Sequence, residues 1–309
     1  MNKFKSILYA DFGHDEDVGA LRQALRMTRS NGGKLYYVSV RRAMPSILQK
    51  DGQNLEAALE AQAKTELEKA AKDTQTPLPD LDYELHIISD ARPDIAVLRF
   101  ADKIGADVIM KEIEKEGRKG FRAKDMTLLS KSPVPVWICR DEKEAQPSHK
   151  VAVAIDPESD NKNADDLSVR LLQIAERLAA QNAVTLEVIS CWSLEYEDYL
   201  RNNPWAKLSD DKVEQRLEET CERHKNALLG LISKAGLAPD SLIIHHVKGS
   251  ADEMIPTLTR ENNIATLVMG TVARTGIPGF LIGNTAENIL QDLECSLIAL
   301  KPEGFASNL

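Results

Sequence analysis

Residues 270–285 read GTVARTGIPGFLIGNT and gather four of the chain's sixteen glycines into one loop. Without a Cβ, glycine lets a backbone turn tightly or come within hydrogen-bond reach of a phosphate. The loop follows the apolar run TLVMG and leads into NTAENIL, where Asn284 suits a helix N-cap and Glu287 stands three residues on, as in a capping box. A helix beginning there turns free N–H groups and the positive end of its dipole toward the loop. Gly270, Gly283 and this helix start therefore make a candidate anion cradle. Turns also consume glycines, and SADE at 250–253 repeats the capping pattern with no glycine loop beside it, so capping by itself specifies no ligand. The chain contains no GxxxxGK[ST] phosphate loop.

Other residues with chemistry are sparser. Asp11 and Asp156 each close an apolar run, KSILYAD and KVAVAID, and a carboxylate at a strand end can hold a ribose hydroxyl or a cation. His245 and His246 are adjacent on a strand pattern and so point to opposite faces, which excludes both from one metal site. His86 falls at the matching place earlier in the chain, as a packing position would. No Ser/His/Asp or Cys/His arrangement and no diagnostic carboxylate pair is legible. The basic run RKGFRAK at 118–124, with Lys119, Arg122 and Lys124, reads as a solvated loop or as one that attracts an anion by charge. WSLEYEDYLRNNPW at 192–205 concentrates aromatics in a chain with only 5% of them, and reads as a packed loop or the wall of an apolar cleft.

The elements that must position these residues occur twice. ELHIISDARPDIAVLRFADKIGADVIMK (84–111) aligns without a gap on IIHHVKGSADEMIPTLTRENNIATLVMG (243–270), with Met110 on Met269. Each half alternates apolar runs of strand length with segments of helical periodicity, giving strand, helix, strand, helix, strand, helix, strand, helix, strand. In the second half the strands fall near 151–156, 184–190, 242–247, 265–270 and 296–300, and the helices near 163–180, 211–235, 251–262 and 284–293. Continuously apolar strands such as LVMG and LIAL suit a parallel sheet covered on both faces. The fold class expected is α/β: two tandem doubly wound, mainly parallel five-stranded sheets of Rossmann-like form, one over 1–143 and one over 148–309, with polar DEKEAQPSH (141–149) as the linker. A ligand of such a sheet sits beyond the carboxyl ends of the strands where strand order reverses, the edge on which the glycine loop lies.

Composition narrows the function. A chain of 309 residues with 43% apolar and 28% charged side chains is an ordinary globular protein. The formal charge of −9 excludes general nucleic-acid binding, which needs clustered cations. No leader-like segment and no apolar run of membrane-spanning length is legible, so the expected location is cytoplasmic. Cys139, Cys191, Cys221 and Cys295 lie far apart and are expected to be reduced packing residues.

The internal repeat, Asp156 at a strand end and the stretch GTVARTGIPGFLIGNTAE resemble the universal stress protein family, whose nucleotide-binding members carry G-x2-G-x9-G-[S/T]. GTV-x-RTGI followed by GNTAE is particularly similar to the tandem, E-type bacterial members. The motif register falls on Gly270, Ala273, Gly283, then Asn284 and Thr285; Ala273 stands where the motif has its second glycine. The resemblance implies phosphate contacts at Gly270, Gly283, Asn284 and Thr285, and ribose or adenine contacts at Asp156 and at Ile189 to Cys191. It implies a stress-response binding module whose second domain holds ATP, with Mg²⁺, or a related adenine nucleotide, and at most weak ATPase activity. It also implies that the last strands, near Val134 to Cys139 and Leu297 to Leu300, pair so that one chain is a pseudo-dimer, with a homodimer of such chains as a further option. In the first half the motif is lost: Lys111 falls opposite Gly270, and Arg122 and Ala123 fall opposite Gly283 and Asn284. Two other readings stay open, a nucleotide-hydrolysing or nucleotide-transferring enzyme of the same fold group, and a nucleotide-free scaffold that binds an apolar ligand or protein through 192–205.

Overall fold

The computed structural model describes residues 4–13, 18–44, 52–114, 120–140, 149–158, 162–203, 208–271 and 282–305. The chain divides into two compact units, one comprising Met1–Pro147, Ile277–Ile282 and Ser296–Leu309, the other Ser148–Gly276 and Gly283–Cys295.

The first unit runs β1 (Ser6–Asp11), α1 (Gly19–Asn31), β2 (Lys34–Arg42), α2 (Gly52–Asp73), β3 (Asp82–Asp90), α3 (Pro93–Ile104), β4 (Val108–Glu112), α4 (Ala123–Lys131) and β5 (Val136–Cys139). These strands pair in parallel in the order β3-β2-β1-β4-β5, so the order reverses between β1 and β4. Ile7, Leu8, Val108 and Ile109 on the two central strands are buried, as continuous apolar runs covered by helices should be. α1 turns Ala20, Leu21, Ala24, Leu25 and Thr28 inward at helical spacing. It stops at Gly32, whose φ of 60° lies in the left-handed region, and α3 stops in the same way at Gly105. The strand β10 (Ser296–Leu300) completes this unit by running antiparallel to β5, with Ile298 opposite Trp137. The residues expected to pair at 134–139 and 297–300 therefore do so. Beyond them, the Lys301 ammonium donates to the carbonyls of Leu129 (2.7 Å) and Ser132 (2.9 Å), satisfying the carboxyl end of α4.

The second unit runs β6 (Val151–Ala154), α5 (Lys162–Gln181), β7 (Glu187–Trp192), α6 (Glu197–Asn202), α7 (Asp210–Lys234), β8 (Ile243–Lys248), α8 (Ala251–Glu261), β9 (Thr266–Gly270) and α9 (Asn284–Asp292). Its parallel order β9-β6-β7-β8 puts the reversal between β6 and β9. Each strand foreseen in this half is present within a few residues. The helix α6 goes unforeseen; its six residues are too few to show a helical period.

Candidate functional site

In the second unit the reversal brings Asp156, Gly270 and the start of α9 to one edge. Val153 faces Val268, and continuing that register sets Ile155 opposite Gly270 and Asp156 opposite Thr271. Past the end of β6 the Ile155 N–H donates to the Ile189 carbonyl (2.9 Å), and Ser190 Oγ donates to the Ile155 carbonyl (2.8 Å). Asp156 projects beyond this stitched end and is exposed, with one carboxylate oxygen accepting the Glu158 N–H at 3.2 Å. Ile189 itself is buried in the core, so the parts of this strand end that reach solvent are the half-buried Cys191 and Trp192.

Gly270 and Gly283 stand at the two ends of the glycine loop. The Gly283 N–H donates to the Thr271 carbonyl at 3.1 Å, closing it. A Cβ on Gly270 would come within 3.1 Å of Leu167 Cδ2, so a side chain here crowds α5. Thr271 is only 1% exposed, and among the described residues its hydroxyl has no hydrogen-bond partner. A buried, unpartnered hydroxyl costs free energy unless something else meets it. Ala273 lies outside the described residues.

The helix start differs in one respect from its sequence reading. Gly283, with extended φ and ψ of −61° and 146°, is the N-cap, and Asn284 is already the first helical residue, so Asn284 and Glu287 do not form a capping box. Among the described residues no side chain caps α9. Asn284 and Thr285 are exposed there, and the Asn288 side-chain amide ties the helix to Asp252 on α8 at 3.0 Å. The edge thus presents uncapped N–H groups, a positive dipole end and a strand-end carboxylate.

The first unit fills several of the corresponding positions with its own side chains. Asp11 Oδ2 accepts from Ser39 Oγ and from the Arg41 guanidinium, each at 2.8 Å, and Oδ1 accepts the Gly13 N–H at 2.6 Å. Ser39 faces Asp11 in register; the second unit has Cys191 at that place and Ser193 in place of Arg41, so this Ser–Arg arrangement is not repeated there. Glu112, which corresponds to Thr271, accepts the Ala20 N–H at the start of α1. Lys111, in the place of Gly270, reaches Asp125 on α4 to form an ion pair whose members are 2% and 0% exposed. Lys124 pairs with Glu114 at 2.9 Å rather than standing free in a solvated loop, Arg122 is exposed at the N-cap of α4, and Lys119 lies outside the described residues.

Around β7 and β8 the second unit carries an aromatic and imidazole cluster. His245 and His246 do point apart: His245 meets the buried Glu187 at 2.7 Å, whereas His246 Nε2 lies 2.9 Å from His224 Nδ1 and stacks on Trp192. Burial lowers the pKa of both His224 and His246, and for His246 the neighbouring His224 and Lys225 lower it further. Glu158 opposes the shift of His224, while Arg223, 3.0 Å from Glu158, adds to it. As pH falls below about 6.5 the unfolded chain takes up protons that the folded pair resists, so stability is lost through that window. Urea midpoints at pH 7.5 and 5.5 should drop more for the wild type than for His224→Leu. Equal drops would remove the pair as the source. Of the aromatic stretch, Tyr196, 75% exposed and held at a φ of 61°, and the exposed Tyr199 face outward rather than lining a cleft. Trp205 lies outside the described residues.

His224 is the residue that sequence reasoning missed. Its signal was present: Val213, Leu217, Thr220, His224, Leu228 and Leu231 make one buried stripe of α7. Cys221 and Ala227 are half-buried at its margin. The four cysteines are free thiols. Among the described residues there is no cluster of three or more metal-ligating side chains, and no helix is long and apolar enough to cross a membrane.

The comparisons with known proteins agree with this architecture. The universal stress protein family matches the chain twice, over residues 3–140 and 147–301. Universal stress protein E of Photorhabdus laumondii is 24% identical over 317 residues, spanning 99% of this chain and 97% of that protein. Its namesake from Escherichia coli K12 is 26% identical over 226 residues, 72% of this chain and 69% of that one. Among solved structures, a putative universal stress protein from Pseudomonas aeruginosa superposes with a TM-score of 0.71 at 20% identity, covering 98% of this chain and 95% of the other. One from Archaeoglobus fulgidus gives 0.60 at 14% identity, with 97% of both chains covered. With two copies of the domain in tandem, covering nearly its whole length, this chain belongs to the universal stress protein family.

Proposed function

We propose that the protein is a cytoplasmic stress-response module whose second unit binds one adenine nucleotide, ATP with Mg²⁺ or a relative, while the first unit binds none. The observation that carries this reading is the uncapped start of α9 beside an exposed strand-end carboxylate at the order reversal. In this reading the N–H groups at Asn284 and Thr285 hold the phosphates, Gly270 and Gly283 leave room for them to approach, and Asp156 holds the ribose hydroxyls. The end of β7 past Ile189 borders the base. The orphaned Thr271 hydroxyl fits such an occupant, since an anion at the cradle would give it an acceptor. Mg²⁺ bound with the nucleotide would neutralise phosphate charge, and Asp156 is the carboxylate of the site that would help to hold it.

Replacing Asp156 with Ala removes a charged hydrogen-bond acceptor and should weaken binding of a fluorescent ATP analogue about 10- to 100-fold. Asp11→Ala should leave it unchanged, because Asp11 is spent on Arg41 and Ser39. Equal losses in the two variants would contradict the reading. A phosphate-release assay on the same samples should stay at background; turnover would point to the enzyme alternative.

A further inference from the structure

We infer that Asp125 is a built-in anion: its carboxylate occupies the first unit's cradle as a ligand would, and its removal uncovers a site for a small carboxylate such as formate. Three features carry this. The carboxylate stands at the third helical position of α4, where Oδ2 accepts the Arg122 N–H at 3.0 Å, an interaction that a bound anion makes at a helix start. It is fully buried, and its other oxygen is met by the ammonium of Lys111, which rises from the end of β4 and is itself 2% exposed. The Phe12 ring centroid lies 5.4 Å from Lys111 Nζ and 5.3 Å from Lys124 Nζ, and Lys124 is paired with Glu114 at 2.9 Å. A solvated loop would need none of this. An unpaired buried lysine is costly, so Lys111 requires an anion in this place whatever its source.

The second unit has Gly270 and Ala286 at the corresponding positions and so brings neither charge. The first unit is thereby held in its occupied form by its own side chains. The inference stands on the first unit's own geometry and would survive failure of the nucleotide reading.

The test is chemical rescue in the full-length chain. Asp125→Ala leaves Lys111 Nζ and the Arg122 N–H facing a gap of carboxylate size, and should lower Tm by roughly 5–10 °C. Sodium formate titrated to 200 mM should then raise Tm in a saturable manner and recover several degrees. The wild type and the Asp125→Ala, Lys111→Met double variant, titrated alongside, should show only the small drift of ionic strength. Asp125→Asn, which keeps the gap filled, should be destabilised and not rescued. Formate effects equal in all four proteins, or equal in the single and double variants, would overturn the inference. Should Asp125→Ala be insoluble at expression, refolding from urea reads the same quantity. Recovery that depends on formate supports the built-in anion; recovery that ignores it, or none at all, refutes it.

Discussion

Gly283→Arg is expected to abolish the stabilisation of the protein by ATP. Gly283 is the N-cap of α9 and the closing residue of the glycine loop, with its N–H already given to the Thr271 carbonyl. Its φ of −61° is one that any L-residue adopts, so the backbone need not change to accept arginine. The new side chain, however, must leave the N-cap where the phosphates would lie. Losing that approach should weaken binding at least about 100-fold, roughly 3 kcal/mol. With ATP at about 100 times the wild-type dissociation constant, wild-type stability should rise by about 2.7 kcal/mol, and that of the variant by at most about 0.4 kcal/mol. A thermal melt with and without ATP measures this. An arginine variant that ATP still stabilises as well as the wild type would move the phosphates elsewhere.

The largest stability effect should come from the first unit. Lys111→Ala strands a fully buried carboxylate at Asp125 without its cation, and breaking a buried pair in this way costs about 3–5 kcal/mol. The Lys111→Met, Asp125→Leu double variant removes both charges and restores apolar contact, so it should return to within about 2 kcal/mol of the wild type. The non-additivity is the informative quantity, because a surface pair would give small and additive losses. Urea unfolding followed by circular dichroism gives both numbers. A Lys111→Ala variant within about 1 kcal/mol of the wild type would mean that the pair is not buried in solution.

The expectations drawn from sequence succeeded where a local pattern carried the information and fell short where a partner came from far along the chain. Apolar runs such as VIM before Lys111 and LVM before Gly270, read with the repeat, located strands and helices to within a few residues. The edge of the sheet that bears Asp156 and the glycine loop followed from chain order alone. Asn284 was misplaced by one position, because sequence cannot tell whether an Asn-Thr start uses the glycine before it as the N-cap. The first unit shows the deeper difficulty. Lys111 and Asp125 are fourteen positions apart, and nothing local tells that they meet in a buried pair rather than in water. Arg41 and Asp11 are thirty apart and lie on different strands, so the clamp that closes this place in the first unit is a product of register. For the same reason His224 was hidden inside a helix stripe until β8 brought His246 against it.

The division of labour between an open second unit and a self-occupied first unit is tested most directly by calorimetric titration of the purified, nucleotide-stripped protein with ATP and magnesium. The account predicts one binding site per chain, retained in Asp11→Ala and lost in Gly283→Arg. Two sites per chain, or no heat in a folded sample, would contradict it.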